Sequence, residues 1–127
     1  MHRNLIWQGG IPVIVSHIDK VEQKAMQGPG VEKAWKQICI SPTEGWAGHV
    51  MRVFELEPGG KAPAHTHPWP HINYFLKGEG IVHLNGVDNE VTEGSFAYIP
   101  ANAHHQILNR GNEVFKFICI VPEEGEG

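Results

Sequence analysis

The stretch that decides the fold is Gly59-Gly60-Lys61-Ala62-Pro63-Ala64-His65-Thr66-His67-Pro68-Trp69-Pro70-His71. In an extended chain, residues two apart face the same way, so His65 and His67 aim both rings at one point. Pro68-Trp69-Pro70 cannot continue a hydrogen-bonded ladder and must turn the chain. That turn brings His71, at the start of the next strand, close to its two predecessors. Three separately placed imidazoles would each need a hydrogen-bond partner, whereas one shared cation satisfies all three. Imidazole nitrogen suits zinc, copper, iron and nickel, with geometry and metal supply deciding among them.

Outward from this stretch, fifteen glycines and nine prolines punctuate short apolar runs at intervals that suit an all-β domain. Strands are predicted over Ile11–Val15, Ala34–Ser41, His49–Glu57, His71–Leu76, Ile81–Asn85, Glu90–Val91, Ser95–Ile99, His104–Asn109 and Glu113–Val121. Turns are predicted at Glu57-Pro58-Gly59-Gly60, Lys77-Gly78-Glu79-Gly80, Asn85-Gly86, Glu93-Gly94 and Arg110-Gly111-Asn112. Asn85-Gly86 is a strong hairpin signal because both residues tolerate positive φ. Alternation in Met51–Glu57 puts Arg52, Phe54 and Leu56 on one face, opposite the two glutamates. In Phe115–Cys119 the lone charge of Lys116 points outward, which turns Phe115, Phe117 and Cys119 inward. Helix is confined to a turn or two over Lys20–Met26, ended by Gln27-Gly28-Pro29-Gly30.

Two spaced motifs then give a specific resemblance. Gly59, five residues, His65-x-His67, three residues, His71, six residues and Gly78 resemble the first motif of the cupins, with His71 where glutamate is usual. Gly94, five residues, Pro100-x-Asn102, two residues, His105, three residues and Asn109 resemble the second, with Asn102 in a glycine position. Asparagine is the non-glycine residue that best tolerates the left-handed region, so the turn is expected to survive. The resemblance runs over about residues 49–121 and is tightest to small single-domain manganese cupins that share the histidine-for-glutamate change. It implies a single-domain jelly-roll barrel spanning residues 1–127, with 1–48 as an N-terminal strand extension. It also implies one divalent metal ion on His65, His67, His71 and His105, manganese or iron being favoured. Adjacent strand residues face opposite ways, so the same register leaves His104 outside or at a rim. His83, His2, His17 and His49 read as structural or solvent-facing.

At 127 residues the chain suits one domain, and a net charge of −4 with mixed signs offers no basic face for nucleic acid. No apolar run approaches the roughly 18 residues of a membrane span. The start leads into no signal-peptide core, so a soluble cytoplasmic protein is expected. Cys39 and Cys119 sit in apolar runs without a C-x-x-C pairing and read as thiols. Glu123-Glu124-Gly125-Glu126 is the one charge run and reads as a solvated end.

Four neutral imidazoles would leave a metal's charge uncompensated, favouring an anionic ligand or a deprotonated substrate. Arg52, if inward, is the candidate anchor for a carboxylate or phosphate, because its fork matches those groups; an outward salt bridge to Glu55 or Glu57 is the alternative. Asn73 is at most a hydrogen-bond donor to ligand or substrate. Trp69, Tyr98, Phe54, Phe75, Phe115 and Phe117 are candidates to line an apolar pocket, with plain core packing the alternative. Cys119 is placed to face that pocket. Three functions follow for a small-molecule site: a dioxygenase-like metalloenzyme, a non-oxidative isomerase or lyase acting on a sugar phosphate or hydroxy acid, or a non-catalytic binding module. A homodimer is expected, with the N-terminal strand residues Trp7, Ile11, Val13 and Val15 pairing across a two-fold axis.

Overall fold

The computed structural model describes residues 5–8 and 11–126, with side-chain environments from Val13 onward. Eleven strands run in chain order among these residues: β1 Leu5–Gln8, β2 Ile11–Ile14, β3 Lys24–Ala25, β4 Glu32–Ile40, β5 His49–Lys61 and β6 His71–Lys77. They continue with β7 Glu79–Leu84, β8 Val87–Thr92, β9 Phe96–Ile99, β10 His105–Leu108 and β11 Phe115–Pro122. The described residues contain no α-helix. Lys20–Met26 is not helical: a 3-10 turn, Ile18–Lys20, precedes it, and β3 pairs with β4 instead. The Lys24-Ala25 backbone therefore finds its partners on a neighbouring strand rather than within its own segment.

All strand pairs are antiparallel. β1 and β2 pair separately, and the other nine strands form one continuous sheet folded into two layers: β3-β4-β5-β11-β6-β9, and β8-β7-β10, which joins the end of β5 through Leu108 opposite Lys61. The result is a jelly-roll barrel. Glu57-Pro58-Gly59-Gly60 is not a turn, as the sequence suggests, but a bulge within one long strand. While β4 advances only from Glu32 to Ala34, β5 runs back from Lys61 to Leu56, so its extra residues loop out. Gly59 takes φ +81°, and a Cβ on Gly60 would stand 2.7 Å from the carbonyl oxygens of Glu57 and Lys33. Only glycine fits both demands. The bulge bends β5 so that a single strand serves both layers and delivers the chain to His65.

The Asn85-Gly86 hairpin forms as expected, both residues at positive φ, and Asn102 takes the left-handed conformation at φ 70°. Alternation also holds on β11, where Phe115, Phe117 and Cys119 are buried between half-buried neighbours. Three inward rows cross the strands β5, β11 and β6. Leu56 stands opposite Phe115; Phe54, Phe117 and Phe75 stand together; Arg52, Cys119 and Asn73 stand together. The first two rows, with Ile99 and Val82, are the hydrophobic core. The third row is polar, and it faces the histidines.

Candidate metal centre

His71 opens β6 and His105 opens β10, so strand geometry sets both backbones. His65 is clamped to His105 by two reciprocal backbone hydrogen bonds, each 3.1 Å, in an isolated antiparallel bridge. The Pro68–Pro70 turn then carries the chain across the barrel mouth. The His67 carbonyl accepts a 2.7 Å bond from the Asn102 amide, so the left-handed turn of the second motif holds the first motif in place.

The rings converge. Ring centres lie 4.7 Å apart for His65 and His67, 4.8 Å for His65 and His105, and 4.9 Å for His67 and His105. The ligating nitrogens of these three lie within 4.8 Å of one another, close enough to hold a metal ion together. His71 stands beside them, with its Nε2 3.0 Å from Nε2 of His105. Adjacent ligands of one ion at about 2.0–2.1 Å also stand about 3 Å apart, so this spacing fits a shared cation.

The ring tautomers fit as well. His67 Nδ1 lies 2.7 Å from the Trp69 carbonyl and His105 Nδ1 lies 2.9 Å from the Ala103 carbonyl. A carbonyl only accepts, so each Nδ1 carries the proton and leaves a lone pair on Nε2. Trp69 stacks over the His67 ring, centres 4.7 Å apart and planes 10° from parallel, which fixes the ring further. Protonation is opposed at the site. Burial first, then the neighbouring His105 and His67, pushes His65 down to about 4 and His71 to about 3. Burial also lowers His105. These three imidazoles are therefore held in the neutral form, which is the form that binds metal.

The cavity these rings line has a volume of about 370 Å³ and is bounded also by Arg52, Phe54, Trp69, Asn73 and Cys119. Arg52 is buried and inward; its partners are not Glu55 or Glu57. Its Nη2 donates to Cys119 Sγ at 3.0 Å, its Nη1 to Glu126 at 3.1 Å, and its guanidinium lies 4.7 Å over the Phe54 ring. Cys119 Sγ is 3.6 Å from His71 Nδ1, and burial pushes its thiol up. Neither cysteine is in a disulfide.

Four expected pocket residues stand elsewhere. Tyr98 is 64% exposed, because β9 turns it to the outer face opposite Ile72. Phe117 is fully buried but packs against Phe54, Phe75 and Phe115 one row below the cavity, so it is core. Phe75 and Phe115 are core for the same reason. The other histidines have separate surroundings: His104 is exposed, His83 pairs with Asp88 at 2.6 Å, His17 caps the Ile18–Lys20 turn and His49 stacks on Trp46. His2 lies outside the described residues.

The acidic segment departs most from expectation. Glu123–Glu126 forms a 3-10 turn in which Glu123 and Glu124 are exposed, as expected, while Glu126 turns into the cavity and pairs with Lys36 at 2.7 Å as well as with Arg52. Sequence reading missed Lys36 and Glu126 because their partnership spans 90 positions and follows no motif.

A buried imidazole cluster within a jelly-roll barrel defines a cupin site, and the chain belongs to the cupin family: residues 52–121 match the cupin domain. It is similar to an oxalate-binding protein of Thermotoga maritima, at 32% identity over 68 residues, covering 53% of this chain and 56% of that protein. It is also similar to the dimethylsulfoniopropionate lyase DddW of Ruegeria pomeroyi, at 31% identity over 74 residues, covering 58% of this chain and 49% of that one. Each match thus spans about half the length of the relative. Among solved structures, the polyketide cyclase RemF of Streptomyces resistomycificus superposes with a TM-score of 0.82 at 26% identity, covering 87% of this chain and 80% of that one. Cupins thus include enzymes and binding proteins. No helix among the described residues is long and apolar enough to cross a membrane.

Proposed function

We propose that residues 1–127 act as one metal-dependent cupin unit, with His65, His67, His71 and His105 holding a single divalent ion, manganese or iron by family resemblance. Its reaction is non-oxidative lyase, isomerase or cyclase chemistry on a small molecule with a carboxylate or carbonyl. The observation that carries this reading is the shared cavity: the Nε2 lone pairs of clustered histidines face the same space as a buried arginine. An ion held there by the histidines would supply Lewis acidity for polarising a carbonyl or lowering the pKa of an oxygen acid. Arg52 orients the anionic end of the substrate. Phe54 and Trp69 exclude water from the reacting end, and Asn73 offers a polar contact beside His71.

The relatives named above are a lyase, a cyclase and an oxalate binder, and this moves the non-oxidative reading ahead of the dioxygenase-like one that the sequence favours. Turnover of a panel of hydroxy and keto acids by metal-loaded protein separates them. The expected result is metal-dependent turnover that persists under anaerobic conditions and is lost on His71→Ala. Stoichiometric oxygen uptake with the same dependence on His71 would overturn it in favour of oxidation. Ligand binding without turnover across the panel would instead favour the binding module.

A homodimer is part of the same proposal, supported by an outer apolar face rather than by the N-terminal segment, where β1 and β2 pair with each other. Ile72, Tyr74, Phe96 and Tyr98 are exposed side by side on β6 and β9, a larger apolar grouping than scattered surface residues make. Phe96→Glu is expected to convert a dimeric mass by light scattering to a monomeric one; a wild-type monomer removes the idea.

A further inference from the structure

The cavity contains a carboxylate that belongs to the protein. Glu126 reaches in from the 3-10 turn Glu123–Glu126 and divides its two oxygens between two cations: Oε2 meets Lys36 Nζ at 2.7 Å, and Oε1 meets Arg52 Nη1 at 3.1 Å. The cations come from neighbouring strands of one sheet, β4 and β5, whose register sets Lys36 opposite Phe54 and Ile38 opposite Arg52. Sheet geometry therefore builds the cradle, and the turn only fills it.

The filling is incomplete. Arg52 is 8% exposed, yet its Nε–H has no hydrogen-bond partner. In the same row of the cavity wall, Asn73 is fully buried, and its Oδ1 has the His71 ring beside it but no hydrogen bond of good geometry. Buried polar groups are rarely left unpaired. One orphan donor and one orphan acceptor in a single wall fit a ligand that carries both an anionic oxygen and a hydroxyl. The turn also leans on the histidine cluster. A Cβ on Gly125 would lie 2.7 Å from Trp69 Nε1, so the turn rests directly on the ring that stacks over His67.

We propose that Lys36 and Arg52 form a carboxylate-binding subsite and that Glu126 is its built-in occupant, which the carboxylate of a small hydroxy acid displaces. A buried guanidinium is costly without an anion, so the subsite needs one in every state. Exchanging one carboxylate for another keeps the charge balance, and it lifts the turn from Trp69 and opens the cavity. The inference deepens the function proposed above by naming the substrate class. It rests on that reading for the role of the ligand, but the binding itself needs no ion.

The test is calorimetric titration of malonate and of its hydroxyl derivative, tartronate, into the full chain, both metal-loaded and stripped with a chelator. Glu126→Gln removes the competing charge with little change in size. It is expected to bind malonate about tenfold tighter than wild type, the scale of one charge-assisted hydrogen bond. Tartronate should bind tighter than malonate, and Lys36→Met in the Glu126→Gln background should cancel the gain. Gly125→Ala pushes the turn off Trp69 without changing any charge and should also tighten binding, which covers the case in which Glu126→Gln folds poorly. Trp69 emission should shift on malonate binding, in a signal absent from Trp69→Phe. Equal or weaker malonate affinity in both Glu126→Gln and Gly125→Ala would overturn the proposal, as would a gain that survives Lys36→Met. Equal tightening for inorganic phosphate would overturn the assignment to carboxylates. Loss of metal binding with the malonate effect intact would defeat the metal reading alone.

Discussion

The interior of this barrel has two regions built by the same three strands. At the cavity floor and just below it, Phe54, Phe117 and Phe75 meet across β5, β11 and β6; one row above, Arg52, Cys119 and Asn73 occupy the equivalent inward positions. Strand alternation is identical in the two rows, and only the side chains differ. The aromatic row has Phe75 and Phe117 with no exposure at all and rings packed 5.3–5.4 Å apart. The polar row leaves two buried atoms without hydrogen-bond partners and meets the histidine cluster through Cys119 and His71, whose protonation burial opposes. Backbone pairing is thus spent equally on both, while stability is concentrated in one row and chemistry in the other.

The contrast gives its largest expected effect in the aromatic row. Phe117→Ala removes a fully buried ring and should destabilise the protein by about 3–5 kcal/mol in chemical denaturation. His71→Leu, one row above, should change metal-free stability by no more than about 1 kcal/mol, since it trades a desolvated imidazole for an apolar side chain of similar size. Equal losses at the two positions would break the distinction between the rows.

Between about pH 6.5 and 4, acid should act chiefly through the polar region. His65 and His71 are lowered to about 4 and about 3 in the folded chain, mainly by burial, whereas unfolded histidine titrates near 6.5. The unfolded state therefore binds more protons between these values, and stability rises with pH across that interval. Metal-free protein should be uniformly stable above about pH 7. It should lose stability progressively as the pH falls from about 6.5 toward 4 and 3, as followed by denaturation midpoints. In the His71→Leu variant the slope should be shallower; an unchanged slope would place the acid sensitivity elsewhere.

A loss smaller than that of the aromatic row is expected at the turn that joins the two motifs. Asn102 sits at φ 70° and its amide holds the His67 carbonyl. Asn102→Ala should cost about 1–2 kcal/mol, the penalty for a left-handed non-glycine residue, while Asn102→Gly should be tolerated in thermal melts. If alanine and glycine behave alike, the conformation does not matter there.

The same contrast explains what the sequence reveals. The histidines are legible because their relationship is local: His65, His67 and His71 lie within one strand end and one bend, and the second motif places His105. Alternation correctly turns Arg52 and Cys119 inward, because period two survives on any paired strand. Other features are hidden because they depend on distant partners. The Pro58-Gly59-Gly60 bulge reads locally as a turn, and only the pairing with β4 keeps it in a strand. Tyr98 and Phe117 are both aromatic residues on strands, and composition does not say which face each takes. Glu126 is indistinguishable from a solvated glutamate until the fold brings Lys36 and Arg52 beside it.

The central claim is that four imidazoles share one ion. Titrating zinc, a diamagnetic probe, into metal-stripped protein while recording the histidine ring nitrogens by NMR tests it most directly. The account predicts that the Nε2 resonances of His65, His67 and His105, and one ring nitrogen of His71, shift together and saturate at one equivalent, while His83 and His104 stay in place. Shifts that scatter over the surface histidines, or that leave the four unchanged beyond one equivalent, would contradict it.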